Sequence, residues 1–166
     1  MEYKKLGEIA DIFTGARISR YQKGNMKKQP VIKRTLSDDY QIDYEMEDVS
    51  IELNSKFYSK KDDILVLLAG SNTITKMEHE GYIIPMAYAI VRVKEGYDPD
   101  FVYHLLKSEI FPRELNKLIE GSTLKIIKTS YLQEMKLPLI EYEKQKEYGK
   151  ILRLMDCRIK LLRQTI

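Results

Sequence analysis

Pro99-Asp100 and, further on, Glu134-Met135-Lys136 stand in the order of a metal-dependent nuclease, in which two acids hold Mg²⁺ and a lysine helps orient the attacking water. That chemistry would rest on Asp100, Glu134 and Lys136. In the nuclease arrangement, however, the Asp belongs to a strand, whereas DPDFVYHLLKSE reads as a helix start with Asp100 as N-cap and Val102, Leu105 and Leu106 on one face. Capping explains Asp100 fully, and such short pieces arise by chance in a chain that is 32% charged. His79, His104 and the single Cys157 do not make an ordinary zinc site. His79 reads as an exposed loop residue and His104 as a side position on the helix. There is no GxxxxGKS or GxGxxG loop, and no Asn-Pro-Pro-aromatic tetrapeptide of the kind amino-methyl transfer needs. The expectation is a chain with no catalytic residues, no metal and no cofactor.

A different chemistry has better support. From Ile12 to Ser37 every charged residue is basic (Arg17, Arg20, Lys23, Lys27, Lys28, Lys33, Arg34), and from Asp38 to Glu52 every one is acidic. The net charge of +3 hides this segregation. Arg17, Arg20 and Lys23 lie near Tyr21, Gln22 and Asn25, residue types that meet base edges as well as phosphates. With Lys27 and Lys28 they form one candidate surface for double-stranded DNA; Ser71, Asn72, Thr73 and Lys76 offer a second polar tip. Taken singly, each cation reads as a solvated loop residue. The acidic block either faces a basic partner or weakens nonspecific DNA binding by repulsion.

The elements that must position these residues can be read from spacing. Gly15, Gly24 and Pro30 make most of the basic block a loop around a short strand at 30–34. DDILVLLAG (62–70) and EGYIIPMAYAIVRV (80–93) are apolar runs of strand length, expected to pair, with SNTITKMEHE as an exposed connection. Pro85 suits an edge or bulge. Pro112 is expected to end the first helix, with a second at 113–120 stopping at Gly121, and 124–127 and 132–137 return to β-like spacing. After Pro138 the period changes. Tyr148, Leu152, Met155, Ile159, Leu162 and Ile166 follow a coiled-coil register, widened by Ile151, Leu154 and Leu161. A helix of about 25 residues, about 37 Å long, exceeds what one small domain needs to cover its core, so part of its stripe is expected to meet another helix.

At 166 residues and 43% hydrophobic content, the chain is one domain, or one domain plus an appendage. One cysteine allows no internal disulfide and fits a reducing, cytoplasmic setting. MEYKKLGEIADIF lacks the apolar core of a signal peptide, and no window approaches the roughly 18 apolar residues of a membrane span.

KLGEIADIFTG, KKDDILVLLAGSNTI, DPDFVYHLLKSE and EGSTLKIIKTSYLQEMKLPLIEYEKQKEYGKIL, in that order before a final helix, resemble the DNA-specificity subunits of type I restriction-modification systems. The resemblance covers nearly the whole chain and is most specific from Gly121 to Gln145. It implies an α/β (α+β) target-recognition domain with a mixed or antiparallel sheet over 1–138, and a helical spacer and dimerisation region over 139–166. It also implies that the domain reads one half of a split DNA site, that the helix docks the methyltransferase subunits, and that the chain carries no active site. Members of the family usually hold two recognition domains and two helical regions; this sequence has one of each. A homodimer through Tyr148, Leu152, Met155, Ile159, Leu162 and Ile166 would then read a palindromic bipartite site, whereas pairing with a different half would not. A fragment of a longer chain would look the same. The alternative class is a helical protein-interaction module without DNA binding, in which the basic loop is incidental.

Overall fold

The structure, a computed structural model, describes residues 2–34, 42–70, 73–119 and 126–164. It is a mixed α/β fold. In chain order its elements are β1 (Glu2–Lys5), α1 (Leu6–Ile9), β2 (Ala10–Thr14), a 3₁₀ turn (Ile18–Tyr21), β3 (Met26–Ile32), β4 (Tyr44–Ser50), a second 3₁₀ turn (Ser55–Phe57), β5 (Ile64–Leu67), β6 (Ile74–Lys76), β7 (Tyr88–Val93), α2 (Pro99–Lys107), α3 (Ile110–Leu118), α4 (Thr129–Glu134), β8 (Lys136–Leu139) and α5 (Tyr142–Gln164). The chain divides into two compact units, one of Met1–Asp11, Val93–Leu124 and Ser130–Ile166, the other of Ile12–Arg92 and Lys125–Thr129.

The unit built on Ile12–Arg92 takes its order from apolar runs too short for helices. Ile64, Leu65 and Val66 are fully buried in β5, which pairs antiparallel with β7 on one side and with β6 on the other. The sheet order is β2-β7-β5-β6. The two long runs thus pair as expected, but the second becomes a strand only at Tyr88. Pro85 sits in the turn before it, where its carbonyl accepts from Tyr88 N at 3.1 Å and its missing N–H costs nothing. The connection between the runs is also more ordered than its polar sequence suggested: Ile74–Lys76 is a strand and Thr75 is buried. Gly15 passes so close to the carbonyls of Ile84 and Pro85 that a Cβ there would clash with both. A bidentate pair, Arg92 Nε and Nη2 to the Asp63 carboxylate at 2.9 and 2.8 Å, closes one end of the sheet.

The two charge blocks become the two strands of one antiparallel ribbon. The basic block is less of a loop than expected: β3 begins at Met26, and Met26↔Ser50 through Ile32↔Tyr44 pair in register with β4. Val31, Ile32 and Val49 are buried, which anchors the ribbon to the core, while Lys28 and Lys33 reach across to Asp48 and Glu45 at 3.3 and 3.4 Å. Asp38 and Asp39 lie outside the described residues. Opposite charge placed across strands favours this pairing, so the acidic block answers the basic one within the chain.

In the other unit β1 pairs antiparallel with β8, Glu2↔Leu139 through Lys5↔Lys136. The cap expected at Asp100 lies two residues earlier, at Asp98, whose carboxylate accepts from Phe101 N at 2.9 Å; Pro99 opens the helix, needing no N–H there. Pro112 does not end a helix. It lies in the first turn of α3, where a missing N–H breaks no helical bond, and the break between α2 and α3 falls at Ser108–Glu109. The β-like reading of 132–137 is corrected in its first half: Leu132–Glu134 finish α4, and the strand starts at Lys136. Ile126 and Ile127 belong instead to the unit built on Ile12–Arg92, where Ile126 forms an isolated bridge to Ala69 and Ile127 N donates to Leu68 O at 2.8 Å. Gly121 and Leu124 lie outside the described residues. α5 runs for 23 residues, about 35 Å.

Candidate nucleic-acid interface

The 3₁₀ turn Ile18–Tyr21 is pinned from inside and charged outside. Ile18 is buried in a cluster with Ala16, Val31, Val49, Leu53 and Ile83, and Tyr21 packs on Phe57 with ring centroids 6.3 Å apart. Arg20 N donates to Arg17 O at 3.0 Å, closing the turn, which leaves both arginine side chains exposed. Gly24, at φ +72, then reverses the chain into β3 with no side-chain cost. The result is an open depression of about 720 Å³ lined by Arg20, Tyr21, Lys23, Gly24, Asn25, Ser50 and Glu52.

Four of the residues singled out in the sequence, Arg20, Tyr21, Lys23 and Asn25, are thus brought together around one groove. Arg17 stands exposed at the start of the turn. On the other side of the turn a second depression, about 430 Å³, is lined in part by Ser19, Gln22, Lys33, Arg34, Glu45 and Glu47. Lys27 and Lys28 are exposed on β3; Lys28 is shared with Asp48, whose backbone carbonyl also accepts from Gln22 Nε2 at 3.3 Å. The second polar tip fares differently. Lys76 pairs with Asp62 at 3.1 Å with its side chain largely covered, Thr73 is half-buried, and neither lines the groove. Ser71 and Asn72 lie outside the described residues.

The nuclease trio is absorbed into structure: Asp100 lies in the first turn of α2, Glu134 pairs with Lys5 at 2.8 Å, and Lys136 N donates to Glu114 at 3.2 Å. Among the described residues no three His, Cys, Asp or Glu side chains gather as a metal would require. No described helix is long and apolar enough to cross a membrane.

α5 carries the second feature of note. Its first half is fastened to α2: Gln145, almost fully buried, accepts from Asp98 N at 3.0 Å and donates to Ile140 O at 2.8 Å. Gly149 lies so near the Asp98 carboxylate that a Cβ would collide with it. About two turns further along α5 Asp156 is reached by the His104 ring, which lies 2.7 Å from both Asp100 O and the Asp156 carboxylate. The opposite side of α5 is apolar and open; Tyr148, Ile151, Leu154, Met155, Leu161 and Leu162 are each more than half exposed. Of the expected seam, Tyr148, Met155 and Leu162 belong to this open arc, Leu152 and Ile159 are half-buried, and Ile166 lies outside the described residues.

Sequence reasoning missed the Asp98–Gln145–Gly149 contact and the His104–Asp156 bridge, because each joins residues far apart in the chain. It also passed over Glu52, which joins Arg20, Lys23 and Asn25 only through the pairing of the chain, Ile51 N donating to Asn25 O at 3.0 Å.

Over its full length, residues 1–166, the sequence matches the family model described as the type I restriction modification DNA specificity domain. The chain belongs to that family. Specificity subunits of type I systems are not themselves catalytic, and the chain shares that character. The specificity subunit of the Methanocaldococcus jannaschii type I restriction enzyme MjaVIII is 37% identical over 70 residues, 42% of this chain and 16% of that protein. A Mycoplasma pneumoniae protein named as type I specificity subunit S.MpnORF638P is 25% identical over 115 residues, 68% of this chain and 30% of that one. Among solved structures, the HsdS subunit of Thermoanaerobacter tengcongensis superposes on 99% of the chain with a TM-score of 0.68 at 14% identity, and the type I S subunit of M. genitalium does so with 0.68 at 16%. A chain from work on complex assembly of the type I R-M system gives 0.71 at 16%. The chain spans 44%, 41% and 44% of these three in that order, less than half of each. These distant likenesses show the shared fold.

Proposed function

We propose that this type I specificity chain reads one half of a bipartite DNA site through the groove beside the turn Ile18–Tyr21, pairs with a second copy through α5, and docks the methyltransferase subunit that modifies the site in the cytoplasm. The observation that carries the reading is the family match across the whole chain, joined to a groove in which Arg20, Lys23 and Asn25 converge. Arginine and lysine suit phosphates and the guanine O6/N7 edge, and asparagine suits adenine N6/N7. Arg17, Lys27 and Lys28 add cations along the same strand and turn. In this reading 1–138 is the recognition region and 139–166 the spacer, with α5 held by α2 on one side and free to meet its partner on the other.

The test is to coexpress the full chain with the methyltransferase subunit of its own system and map the modified bases. A homodimer gives palindromic split sites, since two-fold symmetry in the protein is copied into the DNA. Asymmetric split sites would indicate pairing with a different half. Absence of any modification, with no DNA binding by the chain, would leave α5 as an interaction element and remove the recognition role.

A further inference from the structure

The groove holds one side chain of the wrong sign for a surface that meets only phosphates. Glu52 lines it together with Arg20, Lys23 and Asn25, yet neither cation forms an ion pair with it. Elsewhere on the same ribbon opposite charges do pair, Lys28 with Asp48 and Lys33 with Glu45. The position of Glu52 is also firmly set. It sits in the tight turn after β4, between Ser50 and Leu53, both buried. Ser50 Oγ accepts from Glu52 N, Leu53 N donates to Ser50 O at 3.3 Å, and Ile51 N donates to Asn25 O at 3.0 Å, which ties this turn to the start of β3.

Resting on the DNA-reading proposal above, we infer that Glu52 is a specificity-determining residue that accepts a hydrogen bond from the exocyclic amine of a cytosine in the major groove. The chemistry selects that base. A carboxylate only accepts, and cytosine presents its N4 amine without a neighbouring acceptor; adenine sets N7 beside its N6 amine, and guanine and thymine present acceptors that repel the carboxylate. Near the backbone Glu52 would repel phosphate, so it can contribute only where the groove meets base edges. Its cost to affinity becomes discrimination.

The experiment selects bound sequences from a randomised duplex DNA library with the full chain and with E52Q and E52A, each checked by circular dichroism. Wild type is expected to require a C·G pair at one position. E52Q, able both to donate and to accept, shifts that position toward A·T. E52A loses preference there by about tenfold, the lower part of the range for a good base contact. Unchanged preference in both variants, or a uniform gain in binding to all sequences, would overturn the role of Glu52 while leaving DNA recognition intact. A wild-type chain that selects no sequence would overturn the recognition reading itself, and the Glu52 role with it.

Discussion

Two exposed surfaces among the described residues are opposite in chemistry. The groove beside Ile18–Tyr21 is polar and charged; on α5 the exposed Tyr148, Ile151, Leu154, Met155, Leu161 and Leu162 make an aliphatic and aromatic arc interrupted by Arg158. Both stand on rigid supports, Ile18, Tyr21 and Leu53 under the first, Gln145, Gly149 and His104 behind the second. The difference teaches what each can bind. Attraction between charges in water falls with salt, whereas burial of apolar area scarcely responds to it. A surface for a polyanion and a surface for another helix therefore separate in one titration, and the variants below test whether they separate in the molecule.

The largest effect is expected at α5. Replacing Ile151 and Met155 by Asp places charge in the proposed seam, at a cost of about 3 kcal/mol or more, over a hundredfold in dimer dissociation. Light scattering should report a monomer with the circular dichroism of the wild type, because both side chains point away from the fold. A mass that stays dimeric would move the seam elsewhere. At the groove, R20A with K23A should leave the mass alone and lower the slope of log affinity against log salt by about two, since each phosphate-binding cation contributes about one. A slope that does not change would show that these cations do not face DNA.

Gly149 sharpens the comparison through its sign. In an exposed helix interior Gly→Ala stabilises by up to about 1 kcal/mol. Here the added Cβ meets the carboxylate that caps α2. Loss of such a cap costs about 1 kcal/mol, so G149A should destabilise the chain in urea unfolding. A stabilised G149A would mean that α5 is not clamped to α2 at this point.

The parts of this fold legible in the sequence are those with a local cause. The apolar runs gave β5 and β7, and the change of period after Pro138 gave α5. Pro112 misled because a proline signals a missing N–H, and only the structure tells whether that N–H falls in a first turn, where none is needed. The charge blocks misled for a different reason. Their segregation along the chain was visible, but strand register converts segregation in sequence into alternation in space, as Lys28↔Asp48 illustrates. Arg20, Lys23 and Asn25 could be grouped because they lie within six residues of one another; Glu52 enters the same groove through tertiary structure alone.

The two units should also fail at opposite ends of the pH scale. Burial, helped by the nearby Asp43 carboxylate, pushes the Tyr88 phenol up to about 12 from its ordinary 10. A raised value in the folded state means a stabilisation complete below pH 10 and lost as pH climbs through 12. In the other unit the hydrogen bond from Lys117, ahead of the one from Lys136 N, holds Glu114 below its ordinary 4.5. That contribution is present above pH 4.5 and disappears as pH falls below it. Y88F should flatten the alkaline limb of a stability profile, and E114Q the acid limb, each without moving the other. Exchange of the two outcomes would break the assignment of each group to its unit.

The smallest effect belongs to the ribbon. Lys28 and Asp48 are both more than half exposed, and such pairs contribute about 0 to 1 kcal/mol. K28A and D48A should each shift unfolding by less than about 0.5 kcal/mol, with a coupling energy in the double mutant near the same size. Their effects on DNA should nonetheless differ in sign. K28A removes a cation and weakens binding, whereas D48A releases Lys28 from its partner and relieves repulsion, so affinity at low salt rises. If D48A weakened binding as K28A does, the pair would be positioning the strand rather than holding a cation back from the phosphates.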